Sequence, residues 1–301
     1  MNIVNGNAAQ LPIGLFDSGV GGLTVLAALR KRLPQEHFCY LGDTARLPYG
    51  TKSSGTIVRY SLQATEKLVE RRIKLLVVAC NTATAAALPE LHKAYAPLPV
   101  VGVVEPGAKA ACGIINGKPN GGSVIVMATE STIRGAAYTR AIHALNPEAR
   151  ITGVPCSLFV SLAEEGWMDG PIAEGIARRY LAPALAASRP DCIVLGCTHF
   201  PHLAQAIAAV VGQDVVLVDS AATTAEAVEQ ELKRRALLRP PLQSPAQPLN
   251  QPGASGNNAC REEAPSRLHF LTTDAPERFA RVGSLFLGMN INPAQLELVT
   301  L

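Results

Sequence analysis

The sequence lacks any apolar run that approaches the roughly 18 residues needed to cross a membrane. Its first ten residues, MNIVNGNAAQ, lack the basic segment and the apolar stretch of a secretory signal. Charge is also scarce, because 17% of the residues are charged and the net charge is only +3, too little to indicate a nucleic-acid partner. We therefore expect a cytoplasmic protein that binds neither membranes nor nucleic acid.

Cysteine is present, but in a pattern that excludes a disulfide framework. The seven cysteines are an odd number without regular spacing, and they form no C-x-x-C motif. Two cysteines and two histidines between residues 192 and 202 resemble a zinc-ligand cluster. Cys192, however, begins an apolar run, and a strand rises about 3.3 Å per residue, so its sulfur lies too far from the others for one tetrahedral site. We expect reduced thiols and no metal site.

Aromatic residues make up only 5% of the chain, whereas apolar residues make up 48% of its 301 residues. That length and composition suffice for about two domains with sizeable cores. Short continuous apolar runs alternate with longer helical patterns, which is typical of strands buried on both faces. The sequence therefore predicts an α/β fold with mainly parallel sheets. The predicted strands are 13–16, 38–41, 75–79, 100–104, 124–128, 192–195, 215–218 and 268–271.

Helices are predicted in the intervals between these strands. They cover residues 23–32, 56–72, 132–145, 172–187, 203–211 and 221–237. The last of them has Ser220 as its expected N-cap. Residues 239–266 break the alternation because they are rich in Pro, Gln, Ser, Asn and Gly, and cannot bury enough apolar surface to offset their ordering entropy. We expect a mobile insertion there, followed by one more strand and helix.

A faint internal repeat links two parts of the chain. LLVVACNTATAAALPEL resembles CIVLGCTHFPHLAQAI, since each has an apolar strand, a cysteine, polar residues and then a helix. IGLFDSGVGG and SVIVMATEST precede these two segments by similar distances. A duplication of two α/β halves would explain both matches, although chance can also produce them.

Polar side chains follow nearly every predicted strand. In open parallel sheets, ligands bind beyond the carboxyl ends of the strands, so these residues are the candidates for a site. The segment DSGVGG, which begins at Asp17, is one of them, and it is either a tight turn or an anion site formed by backbone N–H groups. It is not G-x-G-x-x-G and has no Walker lysine, so a nucleotide site is poorly supported. The Asp17 carboxylate there can orient a base or bind an ammonium group.

Cys80 and Cys197 are the most informative of these residues. A lone free cysteine is usually a small buried hydrophobe, as we expect for Cys39, Cys112 and Cys192. Two cysteines at equivalent strand ends, each followed at once by polar residues, favour reactive thiols. A neighbouring helix N-terminus lowers the pKa of such a thiol and favours the thiolate. A single Cys–His hydrolase is the rival hypothesis, but it leaves the second thiol unexplained.

The sequence resembles the glutamate racemases, within the cofactor-independent aspartate/glutamate racemase superfamily. The resemblance extends from residue 13 to residue 220, and LTTDAPERFARVGSLFLG continues it towards the C-terminus. Residues 239–266 look like an insertion relative to the family pattern. The matching segments are IGLFDSGVGGLTVL, YLGDTARLPYG, VVACNTATAAAL, VVGVVEPGA, ATESTIRGAAY, SLAEEG, VLGCTHFPHL and VDSA.

The resemblance implies an acid/base pair of thiols that inverts the α-carbon of glutamate. Cys80 would take the proton from D-glutamate while Cys197 delivers one, and the roles would reverse for L-glutamate. Asp17 would assist Cys80, and His199 would assist Cys197. A family glutamate falls in SLAEEG, and it is either Glu164 or Glu165. Further substrate contacts are implied for Asp17, Ser18, Tyr49, Gly50, Asn81, Thr82, Thr129, Thr198 and His199.

The resemblance also implies the architecture and the setting. Two pseudo-symmetric α/β domains would face each other across a cleft, one formed by residues 1–104 plus 219–301 and the other by residues 105–218. The substrate would be glutamate, the D-glutamate would supply peptidoglycan precursors, and a homodimer is one possible assembly. The alternatives are aspartate racemase, another superfamily isomerase, and a non-catalytic amino-acid-binding protein of similar fold.

Overall fold

Ten strands form two parallel sheets in the computed structural model, which describes residues 8–240 and 268–301. Each strand lies beside its neighbours in the parallel orientation, as expected for an alternating strand and helix pattern. The strands are β1 (Ile13–Asp17), β2 (Phe38–Gly42), β3 (Leu75–Val78), β4 (Val100–Gly102), β5 (Ser123–Ala128), β6 (Arg150–Pro155), β7 (Cys192–Gly196), β8 (Val216–Asp219), β9 (Leu268–Thr272) and β10 (Leu296–Leu298).

The two sheets share one strand order, which supports the internal repeat. The second sheet has the order β6-β5-β7-β8, and the first contains the same arrangement as β2-β1-β3-β4, extended by β9 and β10 beside β2. Under this correspondence β5 matches β1 and β7 matches β3. The two central strand pairs also have similar registers, with Phe16 opposite Val78 and Ala128 opposite Gly196. The fold is thus a pair of pseudo-symmetric α/β halves, as predicted.

Eleven α-helices lie between and around these strands within the described residues. Helix α1 coincides with its predicted bounds, and α6 is separated from α5 by Ala136, whose φ of 50° interrupts the predicted helix 132–145. The helices are α1 (Leu23–Arg32), α2 (Ser54–Glu70), α3 (Asn81–Tyr95), α4 (Val104–Ile115), α5 (Glu130–Arg134), α6 (Ala137–Leu145), α7 (Leu158–Glu164), α8 (Gly170–Ala187), α9 (Ala204–Val211), α10 (Ser220–Arg234) and α11 (Pro276–Leu287).

Three local predictions were wrong. Ser220 is the first residue of α10 rather than its cap, because the Asp219 carboxylate accepts the Ala221 N–H at 2.7 Å. The fourth predicted strand ends at Gly102, and its last two residues lead into α4 instead. Strands β6 and β10 were not predicted, because each lies at the edge of its sheet and lacks a continuous apolar run.

Apolar side chains cover both faces of the first sheet, which accounts for its continuous apolar strands. In β1, Ile13 and Leu15 point to one core cluster and Phe16 to another. The first of these clusters also contains Ile125 and Leu195 of the second sheet, so apolar packing is continuous between the two halves. The core therefore holds the carboxyl ends of both sheets in fixed relative positions.

The chain leaves the first sheet after β4 and returns to it at β9, after β8. The expected boundaries at 104/105 and 218/219 stay a prediction. Of the expected insertion 239–266, residues 241–266 lie outside the described part of the chain. Among the helices of residues 8–240 and 268–301, none combines the length and apolar character that crossing a membrane requires.

Candidate active site

A cavity of about 230 Å³ lies where the carboxyl ends of the two sheets face each other. Residues that follow β1, β2 and β3 line one side of it, and residues that follow β5 and β7 line the other. Helices α7 and α11 close its edge. The lining consists of Ser18, Gly19, Leu47, Pro48, Tyr49, Gly50, Cys80, Asn81, Thr82, Thr129, Val160, Ser161, Glu164, Cys197, Thr198, His199 and Arg278.

Cys80 lies at the N-terminus of α3 and faces the cavity. Its sulfur accepts the backbone N–H of Ala83 at 3.5 Å and lies 3.7 Å from the Ser18 hydroxyl. Burial raises the pKa of the Cys80 thiol to about 12, the nearby Asp17 charge adds to that increase, and the Ala83 N–H opposes it. The expectation of a lowered pKa is therefore wrong for Cys80 here, because desolvation outweighs the helix N-terminus.

Asp17 is the last residue of β1 and lies directly behind the cavity lining, 1% exposed. Its Oδ2 accepts the Gly19 N–H at 3.0 Å, whereas Oδ1 is buried with no hydrogen-bond partner among the described residues. Burial raises the pKa of this carboxyl, and the charge of His199 partly counters that effect. Asp17 therefore offers a proton-accepting oxygen on the Cys80 side of the site.

A chain of four polar groups extends from the second thiol to the rim. The Cys197 sulfur lies 3.7 Å from Nδ1 of His199, and Nε2 of His199 lies 3.1 Å from the Glu164 carboxylate. The other Glu164 oxygen accepts from the Arg278 guanidinium at 2.7 Å. This chain joins α7 of the second half to α11, which packs on the first half.

His199 is charged over the neutral pH range. Burial lowers the pKa of His199, but the hydrogen bonds to Cys197 and Glu164 outweigh burial and raise that pKa from 6.5 to about 10. Burial likewise works to raise the pKa of Glu164, and the bonds from His199 and Arg278 lower it overall. A charged imidazolium therefore lies beside the Cys197 sulfur.

Three buried threonine hydroxyls connect the two halves at the cavity wall. The hydroxyl of Thr82 lies 3.0 Å from that of Thr129 and 3.2 Å from that of Thr132, and the last two are 3.0 Å apart. Three hydroxyls carry three O–H protons, so when a ligand oxygen accepts one of them the other two can still link the triangle. Thr82 and Thr129 line the cavity, so the triangle places two hydrogen-bonding groups in it.

The Tyr49–Gly50 turn lies opposite Thr129. The Tyr49 hydroxyl is directed away from the cavity and donates to the Asp43 carboxylate at 2.5 Å, while Arg46 binds the same carboxylate at 2.7 Å. A Cβ on Gly50 would lie 2.8 Å from Cβ of Thr129, so this backbone approaches the second half closely. The polar contribution of Tyr49 to the cavity is therefore its backbone.

The asparagine beside Cys80 receives a hydrogen bond from the other half. The Tyr138 hydroxyl donates to Oδ1 of Asn81 at 2.7 Å, and both residues are almost fully buried. Within the part of the chain that the structure describes, Nδ2 of Asn81 is buried without an acceptor. Asn81 also lines the cavity, so the site contains an amide whose two N–H groups have no acceptor among the described residues.

The structure distinguishes the two glutamates of SLAEEG. Glu164 contacts His199 and lines the cavity, whereas Glu165 is an exposed residue at the end of α7 and contacts neither. Two contributors were not predicted, namely Tyr138 and Arg278. Each lies within a helix rather than at a strand end, so a pattern of polar residues after strands does not select them.

In residues 8–240 and 268–301, no group of three or more histidine, cysteine, aspartate or glutamate side chains is placed to hold a metal ion. Cys192 is buried at the start of β7, at the far end of that strand from Cys197.

Two pseudo-symmetric α/β halves, each with a cysteine at the corresponding strand end of one shared cavity, define the class of this protein. The family model Asp/Glu/Hydantoin racemase matches residues 23–228. The chain belongs to this family, and it is an isomerase.

Named relatives give the same result over nearly the whole chain. The glutamate racemase of Geobacter metallireducens is 48% identical over 276 residues, which is 92% of each chain. The glutamate racemase structure from Francisella tularensis, in complex with D-glutamate, superposes with a TM-score of 0.81 at 33% identity, covering 97% of this chain and 98% of that one. The Escherichia coli glutamate racemase, in complex with L-glutamate and the activator UDP-MurNAc-Ala, has a TM-score of 0.67 at 30% identity, covering 92% and 95%.

Proposed function

We propose that the protein interconverts L-glutamate and D-glutamate through two thiols, without a cofactor. The main observation in support is that Cys80 and Cys197 line the same cavity from corresponding ends of two pseudo-symmetric sheets. Inversion at a carbon atom needs a base on one face and an acid on the other, and this arrangement supplies both. The glutamate complexes of the related structures favour glutamate as the substrate.

The reaction transfers one proton off the α-carbon and another one onto it. With D-glutamate, the Cys80 thiolate takes the α-proton and becomes a thiol, and the bonding electrons remain on the substrate as a carbanion. The Cys197 thiol then donates its proton to the opposite face and becomes a thiolate. L-glutamate reacts by the same steps in reverse. After each turnover the proton therefore lies on the other thiol.

Asp17 and His199 support the two thiols in different ways. The unpartnered oxygen of Asp17 is available to accept the proton that Cys80 must lose before it can act as a base. On the other side, the charged His199 lies 3.7 Å from Cys197 and is placed to return a proton to it, while Glu164 holds the imidazole in place. Each thiol thus has its own partner for the return of protons between turnovers.

The remaining lining residues would hold the substrate and exclude water. Donors for the two carboxylates are the Asn81 amide, the hydroxyls of Ser18, Thr82, Thr129 and Thr198, and the backbone of Tyr49 and Gly50. The substrate ammonium balances the negative charge near Cys80 and so favours its thiolate, which burial otherwise opposes. A small cavity with few water molecules strengthens each of these interactions.

Exchange of the α-proton tests the proposed activity directly. We expect D- and L-glutamate in D₂O to lose their α-proton signal in NMR when the protein is added without a cofactor, and aspartate to exchange much more slowly. Exchange of aspartate instead would indicate aspartate racemase. Folded protein that binds glutamate and exchanges neither amino acid would indicate an amino-acid-binding protein.

Single cysteine variants test the assignment of each thiol. A glutamate with chlorine on its β-carbon needs only one base, because removal of the α-proton is followed by loss of chloride. Cys197→Ser should therefore still release chloride from the D isomer, and Cys80→Ser from the L isomer, while both variants lose at least about 100-fold in racemisation. Cys112→Ser, a half-buried cysteine outside the cavity, is the matched control and should behave like the wild type. Racemisation that survives both site variants would contradict the two-thiol mechanism.

The setting of the reaction is part of the proposal. We infer a cytoplasmic enzyme whose thiols stay reduced, whose D-glutamate supplies peptidoglycan synthesis, and which can form a homodimer. Light scattering after gel filtration measures the assembly, and D-glutamate auxotrophy of a deletion strain, rescued by the wild type but not by Cys80→Ser, tests the biosynthetic role.

A further inference from the structure

Tyr138 contacts the segments that hold both cavity cysteines, although it does not line the cavity itself. It lies on α6 in the second half, and its hydroxyl donates across to Oδ1 of Asn81, the residue that follows Cys80. Its ring packs against the backbone of Gly196, the residue that precedes Cys197. A Cβ on Gly196 would lie 3.0 Å from Cε2 of the ring.

The position of the tyrosine ring is tightly restricted. A Cβ on Gly107 would lie 3.3 Å from Cε1, so two glycines on different elements leave just enough room for the ring. Only 3% of Tyr138 is exposed. Burial raises the pKa of its hydroxyl, which therefore remains a protonated donor at neutral pH. The donated hydrogen bond is thus a fixed feature of this arrangement.

The hydrogen bond determines which end of the Asn81 amide faces the cavity. An asparagine side chain has one acceptor and two donor hydrogens, and rotation by 180° exchanges them. With the Tyr138 O–H bound to Oδ1, Nδ2 is left buried and without an acceptor in the described part of the chain, on a residue that lines the cavity. An N–H donor in that position suits a carboxylate, whereas the amide oxygen would repel one.

We propose that Tyr138 is a positioning residue that holds the Asn81 amide with its N–H groups directed at a substrate carboxylate. This inference rests on the proposed function for the identity of the substrate. The hydrogen bond also crosses between the halves, so the orientation of this amide depends on a residue from each of them.

A double-mutant cycle separates this role from a general structural one. We expect Tyr138→Phe to raise KM for glutamate about fivefold, the loss typical of one hydrogen bond, and to change kcat less than about twofold. Asn81→Ala should raise KM by about tenfold or more, since it removes the donor itself. In the Asn81→Ala background, Tyr138→Phe should have no further effect on KM. The matched control is Tyr95→Phe, which removes a hydroxyl bound to the Leu62 carbonyl outside the site and should leave KM unchanged.

Two results would overturn the proposal. One is a Tyr138→Phe protein with the KM of the wild type. The other is a cycle in which the two substitutions multiply, because Tyr138 would then act independently of Asn81. Asn81→Asp gives a test that leaves Tyr138 in place, since it keeps the acceptor for the hydroxyl and loses the N–H donor. It should weaken binding at least as much as Asn81→Ala, and binding equal to the wild type would refute the amide orientation.

Calorimetry with glutarate keeps this test independent of catalysis. Glutarate has two carboxylates but neither an ammonium group nor an α-carbon to invert, so its Kd reports carboxylate recognition alone. The same pattern of Kd values across the variants should appear even if the wild type exchanges no α-proton. That combination would reject the proposed racemase activity and retain the role of Tyr138. If the wild type exchanges the α-proton but Tyr138→Phe and Asn81→Asp bind glutarate as tightly as the wild type, the racemase activity would be retained and the role of Tyr138 rejected.

Discussion

At the scale of single residues, the two thiols have opposite electrostatic surroundings. Burial and the nearby Asp17 carboxyl together raise the pKa of the Cys80 thiol to about 12. Cys197 lies 3.7 Å from a histidine that is charged at neutral pH. In the free protein, burial and the Asp17 charge oppose the Cys80 thiolate, whereas the Ala83 N–H at the start of α3 and the Ser18 hydroxyl favour it.

Replacing Asp17 should separate the acidity of Cys80 from its activity. In Asp17→Asn the negative charge is absent, so the pKa of Cys80 falls and iodoacetamide should alkylate this thiol severalfold faster at a fixed mildly alkaline pH. Racemisation should nevertheless fall by at least about tenfold, because the proton acceptor is gone. Mass spectrometry of the Cys80 peptide measures the first effect, and alkylation slower than in the wild type would contradict the electrostatic account.

Glu164 should stabilise the fold in a defined pH window. The pKa of His199 is raised from 6.5 to about 10, so this stabilisation is complete below about 6.5 and disappears as the pH rises through about 10. The pKa of Glu164 is lowered, so its contribution is present above 4.5 and declines as the pH falls below that value. Glu164→Gln should therefore cost about 2 kcal/mol between those limits and less near pH 10.

Urea unfolding at about pH 5.5 and about pH 10 measures that difference. Glu165→Gln is the matched control, because Glu165 is exposed and contacts neither His199 nor Arg278 among the described residues. A cost for Glu164→Gln that is equal at the two pH values would show that His199 is not its charged partner.

At the scale of elements, the site is assembled from the turns after β1, β2, β3, β5 and β7. Most of these turns were predictable, because a continuous apolar run followed by polar residues marks the carboxyl end of a buried parallel strand. Cys80, Thr129 and Cys197 were all found in this way. Tyr138 and Arg278 were not, since a helical residue reaches the site only through packing between elements that are distant in sequence. Edge strands β6 and β10 escaped prediction because partial exposure removes the apolar run.

Gly50 should be intolerant of a side chain because two elements meet there. In Gly50→Ala the new Cβ would lie 2.8 Å from Cβ of Thr129, so either the Tyr49–Thr51 turn or Thr129 must move. We expect KM for glutamate to rise about tenfold, as for the loss of one well-placed polar contact. Gly55→Ala is the matched control in the first turn of α2, with nothing within 4 Å of its Cβ, and it should leave KM unchanged. An unchanged KM in Gly50→Ala would show that the turn yields without cost.

At the scale of the whole molecule, a buried ion pair joins segments that are far apart in sequence. Nζ of Lys74 binds Glu36 at 2.5 Å and also donates to the carbonyls of Ala9 and Leu237, at 2.8 and 2.9 Å. The remaining Glu36 oxygen accepts the Arg239 N–H at 2.8 Å. The pair therefore holds Ala9, near the start of the described chain, and the segment after α10, at Leu237 and Arg239, against the first half.

Breaking this pair should destabilise the protein without affecting the site. Lys74→Met leaves the buried Glu36 carboxylate without its cation and should cost about 3 kcal/mol in the free energy of unfolding. Lys67→Met is the matched control, because its pair with Glu70 is exposed, and it should cost less than about 0.5 kcal/mol. Urea denaturation measures both, and KM should be unchanged in each. Equal costs for the two variants would argue against a structural role of the buried pair.

The unequal partners of the two thiols have a consequence for the kinetics of the proposed reaction. Enantiomers have identical free energies in water, so the equilibrium constant is one, and kcat/KM must be the same in both directions. The Asp17 carboxylate near one thiol and the His199 imidazolium near the other therefore cannot enrich either enantiomer at equilibrium. The asymmetry can change only the individual values of kcat and KM in each direction, because their ratio is fixed. Asp17 and His199, which break the pseudo-symmetry, therefore determine which enantiomer has the lower KM. They do not change the equilibrium ratio of the two enantiomers.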